Sequence, residues 1–266
     1  MTLRVCVIGN SHIVAIKQGW SLLGEAADGF SPTYFAAPGA RITDLVVEDS
    51  KLVPRTEDTR TFLARSSEGM TAIDPAAFDA FVLVGMHVLL FRIVKTYRRH
   101  RLMAHADARH QVISRAALDA AIYEDSVARL IGNLRGLTEA PIHLIPEPLP
   151  SEKIIKTDEI WSGEYMPSLY EIYIEQLKQL VLAHRAELIS QDADTIVHGA
   201  FTAARYSIGA VGLYGKDYDR KEDFRHMNAQ FGAELINKSL TMLRGRSAGT
   251  RENGFSDGEL AASTRE

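Results

Sequence analysis

The stretch that decides the fold is Leu3-Arg4-Val5-Cys6-Val7-Ile8-Gly9-Asn10-Ser11-His12. Its apolar run from Val5 to Ile8 has the length and β-branched content of a buried strand. Gly9 and Asn10 are suited to a tight turn, and Asn10 can steady that turn through its own side chain. Beyond them Ile13, Ile16, Trp20 and Leu23 recur at helical spacing up to Gly24, which is a stop signal. Strand, sharp turn and helix thus follow one another, with Ser11 on the turn. That is a common seat for an exposed nucleophile.

Outward from this unit, the chain alternates strand-like and helix-like segments. Residues 33–36, 78–84, 142–145 and 195–197 read as further strands. Three groups recur at helical spacing: Tyr123, Val127, Leu130 and Leu134; Tyr173, Leu177, Leu180, Val181 and His184; and Phe231, Leu235, Ile236 and Leu240. The alternation predicts an α/β fold, a three-layer αβα sandwich around a central parallel sheet of about five strands. Such sheets bind ligands beyond the carboxyl ends of their strands, where Ser11 falls. Residues 45–74 break the alternation, and apolar–polar patterns over 51–55 and 59–65 predict a β-hairpin insertion beside the main sheet. Pro146, Pro148 and Pro150 stiffen the next long loop, and the stretch to Pro167 suits a lid or pocket wall. Residues 1–244 read as one domain. Residues 245–266, rich in Gly, Ser, Thr and charge, read as a disordered tail.

A serine hydroxyl is too weak an acid to attack near neutral pH unless a base lies within hydrogen-bond reach and a third group orients that base. Asp223 and His226 put a carboxylate and an imidazole three residues apart, shortly before Asn228, Phe231 and Gly232. With Ser11 they form a complete candidate triad. The helix after Ser11 adds backbone donors and a positive dipole end where an oxyanion would form.

These segments resemble the SGNH or GDSL-like hydrolases. Gly9, Asn10, Ser11 and His12 match that family's first block, and Asp223 to His226 with Asn228, Phe231 and Gly232 match its last. Pro38, Gly39 and Ala40 are similar to the second block, whose Gly amide serves the oxyanion hole. The third block departs: where the family has Gly-x-Asn-Asp, this chain has Gly85, Met86, His87 and Val88. The missing Asn is a donor to the oxyanion, and losing one such donor costs about 10²–10³ in rate in a comparable serine enzyme. An imidazole N–H at His87 can donate the same bond. The resemblance implies a serine esterase or deacylase acting on an O-acyl ester, with carbohydrate esters or other small molecules as substrates. It implies catalytic Ser11, Asp223 and His226, and an oxyanion and substrate subsite of Gly39, His87 and Asn10. Two other readings stay open: an O-acyltransferase with the same triad, and a binding module without useful turnover.

Composition narrows the classes. The chain has 266 residues, 46% hydrophobic and 24% charged, within the range of soluble globular proteins. Its formal net charge of -4 argues against a general electrostatic grip on nucleic acid. No apolar run approaches the ~20 residues that cross a bilayer. No signal peptide is read at the first residues, and the single cysteine, Cys6, allows no internal disulfide. A cytoplasmic location is therefore expected. No cofactor and no metal are expected: His100, His105 and His110 do not share a helical face, and Asp217 and Asp219 lack the rest of a calcium loop. The oligomeric state is open.

Plainer roles compete for each residue. Ser11 suits a helix cap as well as a nucleophile. Asp223 suits a helix start, and His87 suits packing behind the third strand. His198 reads as structural, and His12 as a surface or packing residue, since neighbours on a helix face different ways. The basic run from Arg92 to Arg109 reads as a solvated face.

Overall fold

The computed structural model describes residues 2–86, 88, 90–106, 125–157, 159–161, 163–213 and 223–252, with side chains for all of these but 100–106, 125 and 247–252. Its strands are β1 (Leu3–Gly9), β2 (Phe30–Ala36), β3 (Leu45–Glu48), β4 (Lys51–Pro54), β5 (Ala80–Gly85), β6 (Ile142–Pro146), β7 (Glu187–Leu188), β8 (Ile196–Val197) and β9 (Phe201–Thr202). Its helices are α1 (Ile13–Leu22), α2 (Glu57–Ser66), α3 (Leu90–Ala106), α4 (Asp125–Arg135), α5 (Met166–Ala183) and α6 (Ala229–Glu252).

Side chains of β1 alternate between two cores, as the two-residue period of a strand requires. Cys6 and Ile8 pack with Phe81, Leu83, Ile142 and Leu144 on the face covered by α3, α4 and α5. Val5 and Val7 pack with Val82, Val84 and Ile145 on the face covered by α1 and α6. Both faces of the central strands are buried, so these strands read as near-continuous apolar runs. The sheet is five-stranded and parallel, in the order β2-β1-β5-β6-β7. This is the expected three-layer sandwich.

The strand order reverses between β1 and β5, because the chain leaves β1 for β2 on one side and returns to β5 on the other. Gly9 lies opposite Val84 in that pairing, so the turns after β1 and β5 open side by side. Crevices at such a reversal are where open α/β sheets hold ligands.

Helices α1 and α6 cross at close range over this face. A Cβ on Gly232 would lie 1.9 Å from the Ala15 carbonyl oxygen, and one on Gly19 would lie 2.2 Å from the Ala233 nitrogen. Glycine at both crossing points lets the two backbones touch. The contact draws the segment before α6 onto the turn before α1.

Three expectations need correction. The fifth strand of the main sheet is Glu187–Leu188, whereas Ile196–Val197 pairs antiparallel with Phe201–Thr202 in a separate ribbon. The edge strand has two half-buried residues, too few to show a period. The insertion does hold a hairpin, but its partners are β3 and β4, joined by Asp49 and Ser50 at positive φ. The stretch 59–65 is helical instead: it lies in α2, where the Thr56 hydroxyl accepts from the Thr59 amide and Glu57 and Asp58 occupy the first turn. At the far end, α6 runs past residue 244 to Glu252, eight residues into the stretch read as tail; residues 253–266 lie outside the described residues.

Candidate active site

Asn10 shapes the turn that carries Ser11. Its side-chain oxygen accepts from the His12 amide at 3.1 Å, and its carbonyl accepts from Ile13 at 3.1 Å. Asn10 therefore does the local capping, and no side chain of the N-cap residue His12 bonds the helix. Ser11 turns its hydroxyl elsewhere. Its Oγ lies 2.8 Å from His226 Nε2, a contact between residues 215 positions apart.

His226 is held from its other side by Asp223, whose Oδ2 lies 2.7 Å from Nδ1. Asp223 Oδ1 accepts the amides of Arg225 at 2.9 Å and His226 at 3.1 Å. The four residues thus make a closed turn in which one carboxylate fixes both its own backbone and the ring. Asn228 then caps α6, its side-chain oxygen accepting from Phe231 at 3.2 Å. Burial alone would raise the Asp223 carboxyl, but the His226 hydrogen bond, the two amides and the attraction of His226 outweigh it. The carboxyl is held down at about 2. Asp223 is therefore an anion at any pH at which the fold is expected to work. With the proton on Nδ1 donated to Asp223, Nε2 is an acceptor, and the Ser11 hydroxyl donates to it.

The structure brings Ser11, His226 and Asp223 together. Gly39 opens the turn after β2, with φ +58 and no atom within 4 Å of where a Cβ would stand. The Ala37 amide just before that turn donates to the Gly9 carbonyl at 3.2 Å, which sets this loop beside the Ser11 turn. His87 lies outside the described residues. Gly85, two residues earlier, has φ +76, and a Cβ there would lie 2.3 Å from Asn10 Oδ1, so this strand end passes directly against the Ser11 turn. His198 does not join the site. It sits in the turn between β8 and β9, exposed, 3.3 Å from Glu152.

Sequence reasoning missed Glu147 and the contacts of His12. Of the surface and packing roles read for His12, the structure gives the packing one: it is buried, and its ring stacks on that of His226 with centroids 4.8 Å apart and planes 20° apart. Glu147, at the end of β6, receives the Asn10 amide at 2.8 Å and lies 3.3 Å from His12 Nε2. The Asn10 and Glu147 positions are 137 residues apart. No local spacing announces such a contact; only the parallel sheet that aligns the ends of β1 and β6 creates it.

The proline-stiffened loop packs against the segment that bears His226. The Ser151 amide donates to the Phe224 carbonyl at 2.7 Å. Trp161, Phe201, Met166, Lys153, Lys156 and His198 line a cavity of about 580 Å³ beyond that junction. Trp161 stacks on Phe91, and the Arg225 guanidinium lies 5.5 Å over the same Phe91 ring. The loop is thus one wall beside the candidate site.

Among the described residues, no group of three or more His, Cys, Asp or Glu is placed to hold a metal ion. The side chains of His100 and His105, and all of His110, Asp217 and Asp219, lie outside the described residues. Over Lys95, Arg98 and Arg99 the basic run faces solvent. No described helix is long and apolar enough to cross a membrane.

Neither family models nor curated proteins match the chain. Among solved structures it is similar to Est24, a carbohydrate acetylesterase from Sinorhizobium meliloti. The two share 12% identity and a TM-score of 0.42 over 92% of this chain and 100% of that one. It is also similar to a lipopolysaccharide acetyltransferase periplasmic domain of Salmonella ser. Paratyphi A, with 12% identity and a TM-score of 0.47 over 92% of this chain and 84% of that one. Likeness at that level carries no weight for activity, so the chemistry rests on the side chains themselves.

Proposed function

We propose that this chain is a serine esterase or deacylase of the SGNH type, cleaving an O-acyl ester through an acyl-enzyme on Ser11. The observation that carries this reading is the unbroken hydrogen-bond chain from Ser11 Oγ through His226 to Asp223, at 2.8 and 2.7 Å. In the first step Ser11 Oγ bonds to the acyl carbon while its proton passes to His226 Nε2. The resulting imidazolium is stabilised by the Asp223 carboxylate. Negative charge on the former carbonyl oxygen is met by the Ser11 and Gly39 amides, with His87 as a third donor. The intermediate collapses, His226 returns the proton to the leaving alcohol, and the alcohol departs. Water, deprotonated by His226, then attacks the acyl carbon; the bond from that carbon to Ser11 Oγ breaks, His226 returns the proton to Oγ, and the acid is released.

An alcohol in place of that water gives acyl transfer with the same residues. We favour a carbohydrate or other small-molecule ester as substrate, following the resemblance of the blocks around Ser11 and His226. The test is turnover of a chromogenic acetyl ester by the full chain and by Ser11→Ala, with the acetyl group traced into acetate or onto an added sugar alcohol. Turnover that vanishes in Ser11→Ala supports an enzyme, and the product distinguishes hydrolysis from transfer. Tight ester binding without turnover points instead to a binding module.

A further inference from the structure

We propose that His12 and Glu147 form a second, buried imidazole–carboxylate pair that positions the ring of His226 for its proton transfer with Ser11. The proposal rests on the triad reading and deepens it. Glu147 is clasped at two points on the nucleophile turn: the Asn10 amide at 2.8 Å and His12 Nε2 at 3.3 Å. Both side chains of the pair are almost wholly buried, 7% and 5% exposed. A buried carboxylate is costly unless paired and hydrogen-bonded, so the turn cannot move without breaking these contacts.

The clasp fixes the plane of His12, and His12 lies face to face with His226 at 4.8 Å. One ring face of His226 is therefore covered by a ring that cannot swing away. Asp223 anchors Nδ1 of His226, yet a single hydrogen bond still lets the ring pivot about it; the stack opposes that pivot and keeps Nε2 aimed at Ser11. The pair also sets charge. Glu147 places a carboxylate behind His12, and an anion there attracts the positive charge that the proposed proton transfer puts on the His226 ring. The same charge is felt by the buried phenol of Tyr173, which burial holds far above its ordinary range and Glu147 pushes further up. His12 and Glu147 touch no reacting atom here, so they are positioning residues.

The experiment uses the full chain with Glu147→Gln, Glu147→Asp, His12→Phe and the double variant His12→Phe with Glu147→Gln. Turnover of a chromogenic acetyl ester is normalised to sites titrated with a fluorophosphonate, so that misfolded protein does not count. The ring Cε1–H resonance of His226, assigned by its loss in His226→Gln, is followed by NMR. Glu147→Gln keeps the shape and the Asn10 contact but removes the charge, and kcat per titrated site should fall by about 10²-fold with KM unchanged. Glu147→Asp should restore part of the loss. The double variant should be no slower than the slower single variant, because the two residues act as one unit.

Unchanged kcat per site in Glu147→Gln, or losses that add in the double variant, would overturn the proposal. If His12→Phe does not fold, the near-isosteric Glu147→Gln decides alone. Failure of the triad reading shows separately, as wild-type protein that takes no probe. In that event the resonance decides: a shift with broadening in Glu147→Gln supports the positioning role, and an unchanged signal contradicts it.

Discussion

Ser11 and His226 meet at 2.8 Å at the carboxyl edge of the sheet, and Ser239 and His143 meet at the same 2.8 Å between β6 and α6. The first histidine has Asp223 on its other nitrogen at 2.7 Å, whereas His143 Nε2 has no hydrogen-bond partner among the described residues. The first pair stands at the rim, with the His226 side chain 15% exposed; His143 and Ser239 are both wholly buried. Burial, with a smaller push from the charge of Arg246, lowers the His143 imidazole to about 4. A ring held there does not accept a proton near neutral pH. Distance alone therefore does not make a serine reactive: the difference lies in the third group and in access.

The largest effect that sharpens this contrast is Ser11→Ala, which should cost about 10⁶ in kcat by the standard of other triads. Ser239→Ala should leave kcat per folded molecule unchanged, and a loss there would break the comparison. Next comes Asp223→Asn, which should slow acylation by up to about 10⁴ through loss of orientation and tautomer control. Stopped-flow acylation at saturating ester measures it, and an unchanged rate would put the two serine–histidine pairs on the same footing.

Smaller effects fall on stability. Gly232→Ala drives a methyl into the Ala15 carbonyl at the α1–α6 crossing, and overpacking of that kind costs about 1–3 kcal/mol, read by denaturant unfolding. Ser239→Ala leaves the buried Nδ1 of His143 without its hydrogen-bond partner, a loss of about 1–3 kcal/mol. The smallest effect is on pH dependence. His143 sits at about 4 in the fold against 6.5 ordinarily, so the unfolded chain takes up the proton first. Stability is full above 6.5 and falls as the pH drops toward 4. Asp223, at about 2 against 3.8, contributes fully above 3.8 and loses that contribution as the pH falls through 2. Thermal unfolding between pH 7 and 4.5 should therefore sense His143 and not Asp223. His143→Asn should flatten the slope, and an unaltered slope would remove His143 from the account.

What the sequence disclosed tracks how local the physics is. The β1–turn–α1 unit was legible because apolar run, turn residues and helical period follow one another within about twenty positions. Asp223 and His226 were legible because a carboxylate three residues before an imidazole closes its own turn. The α2 helix was misread as hairpin although Thr56, Glu57 and Asp58 form a helix-start signal; the apolar–polar alternation over 59–65 masked it. The β7 edge was illegible because two half-buried residues carry no pattern. His12 was judged by its helix position alone, and its partner Glu147 comes from the residue just after β6, far along the chain.

The most direct measurement is to treat the full chain with a fluorophosphonate and map the adduct by tandem mass spectrometry. The triad requires a single adduct, on Ser11, absent from His226→Gln as well as from Ser11→Ala. An adduct on another serine, or no adduct on folded wild-type protein, would contradict it.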